Sequence, residues 1–175
     1  MRALCITAVF IMAVAMTAAG QQKCKEYAPA ASVVTFCPPA DWSSEAKKGE
    51  KHLEFSSPKQ DPGVFPPSIS IKEEAMDPGP IELLAFGMTA GIFAPSKEVT
   101  DPKITDLSQF QSASGEKGYR IVSEGNVSGM AIRFAYYVFD GPRNIKVTLI
   151  GASSAGDAAG AKIIDQAVKT LKLGK

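Results

Sequence analysis

Residues 130–149 read MAIRFAYYVFDGPRNIKVTL, and this stretch decides the fold. Met130, Ile132, Phe134, Tyr136 and Val138 alternate with Arg133 and Tyr137, the period of a strand with one apolar face. Asp140-Gly141-Pro142-Arg143-Asn144 then reads as a hairpin loop, and Ile145, Val147 and Leu149 carry the returning strand. Strands joined by so short a loop pair antiparallel.

Working outward, Asp157 is a candidate N-cap for a closing helix whose apolar stripe is Ala161, Ile164, Val168 and Leu171. Lys172 and Lys175 place positive charge at its C-terminal end, where the helix dipole favours it. Upstream, strands are expected near Leu107–Ser112 and over Lys117–Glu124. A helix is expected before them, with Pro80 in its first turn, Ile81, Leu84, Met88 and Ile92 on one face, and Pro95 as its stop. Gly87 and Gly91 lie inside that helix and suggest close packing on a sheet. Further upstream, Ile69 and Ile71 alternate with Ser70 and Lys72. Lys51–Phe55 and Val33–Cys37 read as two short strands that pair with each other, the second stopped by Pro38-Pro39, with Asp41-Trp42 in a turn. The order β-β-β-α-β-β-β-β-α has too few helices to cover a parallel sheet, so the class is α+β, an antiparallel sheet of six to seven strands flanked by helices.

Residues 1–20, MRALCITAVFIMAVAMTAAG, have the three parts of a secretory signal: Arg2, an uncharged run from Ala3 to Ala19, and small residues Ala18 and Gly20 at the cleavage spacing. Cys24 follows Gln22-Lys23 rather than a small residue, which argues against a lipid anchor. The 175-residue chain has 19 Lys+Arg and 18 Asp+Glu; loss of Arg2 with the signal leaves 18 against 18. So balanced a charge does not suit nucleic acid, which selects a clustered basic surface.

Signal removal also takes Cys5 and leaves Cys24 and Cys37, an even pair that suggests a disulfide in an oxidising compartment. A zinc reading would recruit His52 but lacks a fourth ligand, and no C-x-x-C thiol motif is present.

The other tests for chemistry yield little. Gly151-Ala152-Ser153-Ser154-Ala155-Gly156 reads as a small-residue turn between strand and helix; it lacks the Gly-Lys-Ser/Thr of a phosphate loop and the G-x-S-x-G of an esterase elbow. His52 is the single histidine, and a hydrolase would have to combine it with Ser153 or Ser154. Glu73, Glu74 and Asp77 lack cation-loop spacing. Asn126-Val127-Ser128 is a glycosylation sequon of consequence only in a eukaryotic host. Trp42 is expected to anchor the core. Val64-Phe65-Pro66-Pro67, in a proline-rich loop, is the candidate partner-binding segment.

With these elements in place, the chain resembles the PsbP-like, DcrB-like group, which includes the extrinsic photosystem II protein and a Ran-binding import factor. The resemblance rests on VVTFCPPADW (33–42), LEFSSP (53–58), SISIKEE (68–74) and the closing IIDQAVKTLKL (163–173), and covers residues 33–172. It implies a PsbP-like α/β/α sandwich; with the leader read from its own pattern, the chain is expected to divide as signal 1–20, tail 21–32 and a single PsbP-like domain 33–175. It also implies an accessory or binding role without shared catalysis, and carries over no partner-binding residue. The expectation is an exported, secreted or periplasmic, non-enzymatic protein contacting another envelope or secreted protein. No catalytic residue, cofactor or metal is assigned, and no membrane span is expected after cleavage. The alternative is a small-molecule or lipid carrier using space between sheet and helix around Gly87, Gly91, Ala158 and Ala161.

Overall fold

A computed structural model describes residues 24–29, 32–46, 52–58, 63–92 and 98–174. The expected signal segment and Pro95 lie outside the described residues. The elements run β1 (Val34–Thr35), β2 (Ser43–Ala46), β3 (His52–Ser56), β4 (Ser68–Ala75), α1 (Ile81–Ile92), β5 (Thr100–Gln111), β6 (Lys117–Val127), β7 (Met130–Asp140), β8 (Ile145–Ser154), α2 (Ala158–Lys169) and β9 (Lys172–Leu173). Seven strands form one antiparallel sheet in the order β2-β3-β4-β8-β7-β6-β5. The class is α+β, as the alternation in residues 130–149 implies.

The decisive hairpin pairs Tyr137 with Leu149 and Asp140 with Lys146. Its turn holds Arg143 and Asn144 at φ 57° and 60°. The next hairpin is tighter: Ser128 and Gly129, both with positive φ, join β6 to β7, the backbone signature of a two-residue turn that matches strand twist.

Both faces of the sheet are covered, which corrects the one-sided reading of β7. Tyr137 and Phe139 are fully buried and Ala135 joins them, facing α2. On the opposite face Ile121, Ile132 and Val138 are buried, where α1 packs on β6 and β7. α1 turns inward Ile81, Leu84, Ala85, Met88 and Ile92, the predicted stripe with one addition. The Asp157 cap forms as expected, accepting from Gly160 N at 2.8 Å.

Close helix–sheet packing comes from a glycine on the strand rather than from those of α1. A Cβ at Gly151 would lie 2.3 Å from Ile164 Cγ2, whereas one at Gly87 or Gly91 meets no atom of the described residues within 4 Å. Gly151 to Ser154 belong to β8, so the supposed small-residue turn reduces to Ala155-Gly156.

The N-terminal pairings also differ from expectation. Val34–Thr35 pairs with Lys172–Leu173, and β3 pairs instead with β2 and β4. The first strand is drawn over the sheet rather than into it: Phe36 packs edge-on against Phe55 at 5.2 Å, and Tyr27 against Phe55 at 5.3 Å. Cys24 and Cys37 form a disulfide with Cα atoms 5.4 Å apart. Beside it Tyr27 and Phe36 exchange two backbone hydrogen bonds, at 2.8 and 3.1 Å. Trp42 packs half-buried against the same core.

Candidate interaction surfaces

The residues singled out for catalysis do not meet. His52 is in register with Lys72, and Lys72 with Thr148. Ser153 lies five residues further along β8, about 17 Å at strand rise. Ser153 is fully buried beneath α2, and Ser154 Oγ accepts the Phe65 N–H at 2.8 Å. Two of the three acids considered for a cation are engaged elsewhere: Glu73 accepts from Ser32 Oγ and, at 3.0 Å, from Val33 N, while Glu74 pairs with Lys72 at 2.8 Å. Among the described residues no cluster of three or more His, Cys, Asp or Glu could hold a metal. No described helix is long and apolar enough to cross a membrane. The sequon Asn126–Ser128 sits at the β6–β7 turn, and with Glu98, Thr100 and Gly129 it lines an open cavity of about 480 Å³.

The Val64–Pro67 loop is held at the α2 end of the sheet. Besides the Phe65 bond to Ser154, Pro67 O accepts from Ser57 N at 2.9 Å. A Cβ at Gly160 would lie 2.6 Å from Pro67 Cγ, so the proline sits hard against the first turn of α2. Phe65, Pro66 and Pro67 are half-buried, and Val64 stands out at 42% exposure. The result is a short apolar tip whose backbone is anchored at Phe65 and Pro67.

Three further features were not anticipated. The first is a polar network between α2 and the sheet. Arg120 donates to Asp106 Oδ2 through Nη2 at 2.8 Å and through Nε at 3.2 Å, and to Asp165 Oδ2 through Nη1 at 3.3 Å. The Tyr137 hydroxyl donates to Asp165 Oδ1, and Ser108 Oγ donates to Asp106 at 2.9 Å. The Arg120 hydrogen bond holds the Asp106 carboxyl below the usual carboxylate range. Burial, reinforced by the hydrogen bond to Asp165 and that residue's charge, pushes the Tyr137 phenol far above its ordinary 10.0. A tyrosine held this firmly protonated between committed partners neither gives nor takes a proton near neutrality, so the network anchors α2.

A pH dependence follows from that raised pKa. The unfolded chain loses the Tyr137 proton above about pH 10 while the folded chain keeps it, so the tyrosine's contribution is complete below pH 10 and lost as pH rises beyond it, by about 1.4 kcal/mol per unit. Urea midpoints measured from pH 9 upward are therefore expected to fall, and Tyr137→Phe to flatten part of that fall. An unchanged slope in Tyr137→Phe would show that the phenol titrates freely.

The second feature is the outer side of α1. Leu83 and Phe86 are 69% and 70% exposed, Gly87 and Ala90 are exposed beside them, and residues 83–92 carry no charge. That uncharged run is visible in sequence, but a helical pattern alone does not say which of two apolar sides faces the sheet. The outward Gly87 and Gly91 also remove the premise that they leave a ligand space between α1 and the sheet. The third feature is the free edge of β5, a 12-residue strand blunted by two register shifts, Pro102 and Asp101 at φ 53°.

The architecture is that of a PsbP-like fold. No protein-family model and no curated protein matches the sequence. Among solved structures, the cyanobacterial PsbP (CyanoP) of Synechocystis superposes with a TM-score of 0.57 at 14% identity, over 89% of this chain and 95% of that one. LpqN of Mycobacterium tuberculosis, described as involved in cell envelope biogenesis, superposes at 0.56 with 16% identity, over 81% and 83%. A protein from Bacteroides thetaiotaomicron gives 0.62 at 13% identity over 89% of this chain, which spans 50% of that protein's length. At such identities the likeness concerns the fold alone.

Proposed function

We propose that this is an exported, non-enzymatic accessory protein of the cell envelope, secreted or periplasmic, which works by contact with another envelope or secreted protein. The disulfide supports an oxidising compartment. The shared fold of LpqN and CyanoP is compatible with an accessory role. The observation that carries the reading is the fixed apolar tip Val64–Pro67. A loop already ordered before binding loses little entropy on docking, and a projecting valine beside prolines offers dry contact area.

The test is capture from the envelope and culture-fluid fractions of the native host with the tagged mature chain, compared with a Val64→Asp, Phe65→Ala variant. A specific protein retained by the first and reduced at least about fivefold by the second is expected, since a centrally placed contact of this kind is worth more than about 1 kcal/mol. Capture that is indifferent to the variant would remove the loop from the interface, and absence of any specific capture would count against the role itself.

A further inference from the structure

We infer that residues Cys24–Pro29 are a strap latched by the disulfide over an aromatic docking site, and that reduction of Cys24–Cys37 opens this site to an extended, aromatic-bearing segment of another chain. The two ends of the bridge are held very unequally. On the Cys37 side, Val34–Thr35 pairs with Lys172–Leu173, Cys37 N donates to Thr170 Oγ1 at 2.7 Å, and Val33 N donates to Glu73 Oε2 at 3.0 Å. Val33, Val34 and Phe36 are buried. On the Cys24 side, Cys24, Lys25, Glu26 and Ala28 are exposed, and Tyr27 is the residue that packs on the core. Among the described residues, three backbone hydrogen bonds attach this side: Lys25 N to Pro38 O at 3.2 Å, Tyr27 N to Phe36 O at 2.8 Å and Phe36 N to Tyr27 O at 3.1 Å. A strand with so few contacts opens locally at little cost, and the disulfide is its covalent hold.

The strap itself shows what the site takes. It lies antiparallel to residues 36–39, with Tyr27 opposite Phe36 and Cys24 opposite Pro39. The Tyr27 ring meets Phe36 and Phe55 edge-on at 5.8 and 5.3 Å, and these two meet each other at 5.2 Å. Trp42 and Leu53 pack half-buried on the same core. With the strap away, Phe36 and Phe55 lose an aromatic neighbour, and the Phe36 N–H, the Phe36 C=O and the Pro38 C=O lose their partners. Backbone groups beside an apolar floor need new partners, and a second extended chain supplies them in the same pattern. The occupant is therefore an extended segment with one aromatic side chain, paired antiparallel with Phe36. Main-chain bonds provide the affinity of such strand addition, and the ring pocket provides its choice of sequence.

Opening is a thiol–disulfide exchange, and the reductant is a dithiol. Its thiolate attacks the sulfur of Cys24, the exposed member of the pair. The Cys24–Cys37 bond breaks, a mixed disulfide forms on Cys24, and Cys37 leaves as a thiolate that takes up a proton. The second thiol of the reductant then attacks its own mixed-disulfide sulfur and releases Cys24 as a thiol. Two electrons and two protons pass to the cysteines, and the dithiol ends as a disulfide. Exposed bridges are the labile ones in this exchange. The Val34–Thr35 pairing and the Thr170 and Glu73 bonds do not depend on the bridge, so the first strand stays in place while the strap leaves. The site shares no residue with the Val64–Pro67 tip, so either reading can fail without the other.

The experiment is hydrogen exchange on the mature chain, oxidised and after reduction with dithiothreitol. Reduction is expected to speed exchange of the Lys25, Tyr27 and Phe36 amides at least about tenfold, while the Tyr137 and Leu149 amides of the sheet keep their rates. A second measurement adds a fluorescent peptide of residues 22–29 carrying Cys24→Ser. It is expected to bind the full mature chain carrying Cys24→Ser, Tyr27→Ala and Cys37→Ser at least about tenfold more tightly than the oxidised wild type, whose tethered strap competes at about millimolar effective concentration or above. Reduced wild type is expected to fall between the two. Tyr27→Ala in the peptide is expected to weaken binding at least about tenfold, the loss of its one buried anchor. Strap amides that keep their protection after reduction, or lose it only together with Tyr137 and Leu149, overturn the latch. Peptide binding that is absent, or indifferent to the state of the strap or to the tyrosine, overturns the docking site.

Discussion

Replacing Cys24 and Cys37 together with serine is expected to lower the thermal unfolding midpoint by about 6–12 °C. The bridge closes a loop across a sequence separation of 13, for which the chain-entropy model assigns about 3 kcal/mol. In a domain of this size each kcal/mol corresponds to about 2–4 °C. The native contacts around the bridge reinforce it. Backbone bonds join Lys25 to Pro38 and Tyr27 to Phe36, and Cys37 N donates to Thr170 Oγ1 at 2.7 Å, so the stapled segment also reaches the end of α2. Calorimetry of the double serine variant, with reduced wild type as a second reading, checks this. A shift below about 2 °C would mean that Tyr27 and Phe36 hold the tail without covalent help.

Gly151→Val is expected to destabilise the protein by about 2–3 kcal/mol, the ordinary cost of overpacking a closely packed core. The first added carbon alone would lie 2.3 Å from Ile164 Cγ2, and Ile164 is 1% exposed, with no room to withdraw. Ile164→Ala by itself is expected to cost about 2–5 kcal/mol through the cavity it leaves. The double variant is expected to be more stable than the sum of the two losses by at least about 1 kcal/mol, because the valine fills the space that the isoleucine vacates. Chemical denaturation of the four proteins closes the cycle. Strict additivity would show that α2 does not bear on the sheet at this point.

The two expectations mark how far the sequence could be read. Cysteine number and the export-like leader sufficed to pair Cys24 with Cys37. Gly151 could not be assigned, because a glycine in GASSAG reads the same whether it shapes a loop or admits a helix; only Ile164 above it decides. The same ambiguity affected β7. Alternation placed Tyr137 opposite the apolar set, as a strand with one wet face requires, yet the tyrosine is buried because Asp165 on α2 satisfies its hydroxyl and Arg120 balances that carboxylate. Those three residues are 17 to 45 positions apart, and nothing local links them.

Of the candidate surfaces, the Val64–Pro67 tip was visible as prolines around an aromatic, whereas its rigidity depends on Ser154, 89 residues away from Phe65. The outer face of α1 was visible only as an absence of charge over residues 83–92.

Local pattern thus determined the α+β class, the antiparallel hairpins, the α2 cap and the cysteine pair, because strand alternation, helix periodicity, turn residues and caps act within a few positions of the chain. The tertiary structure alone decided the β1–β9 pairing, the burial of both sheet faces, the use of Gly151 and the outward turn of Leu83 and Phe86. Each of these depends on which surfaces meet, and residues far apart in sequence settle that together.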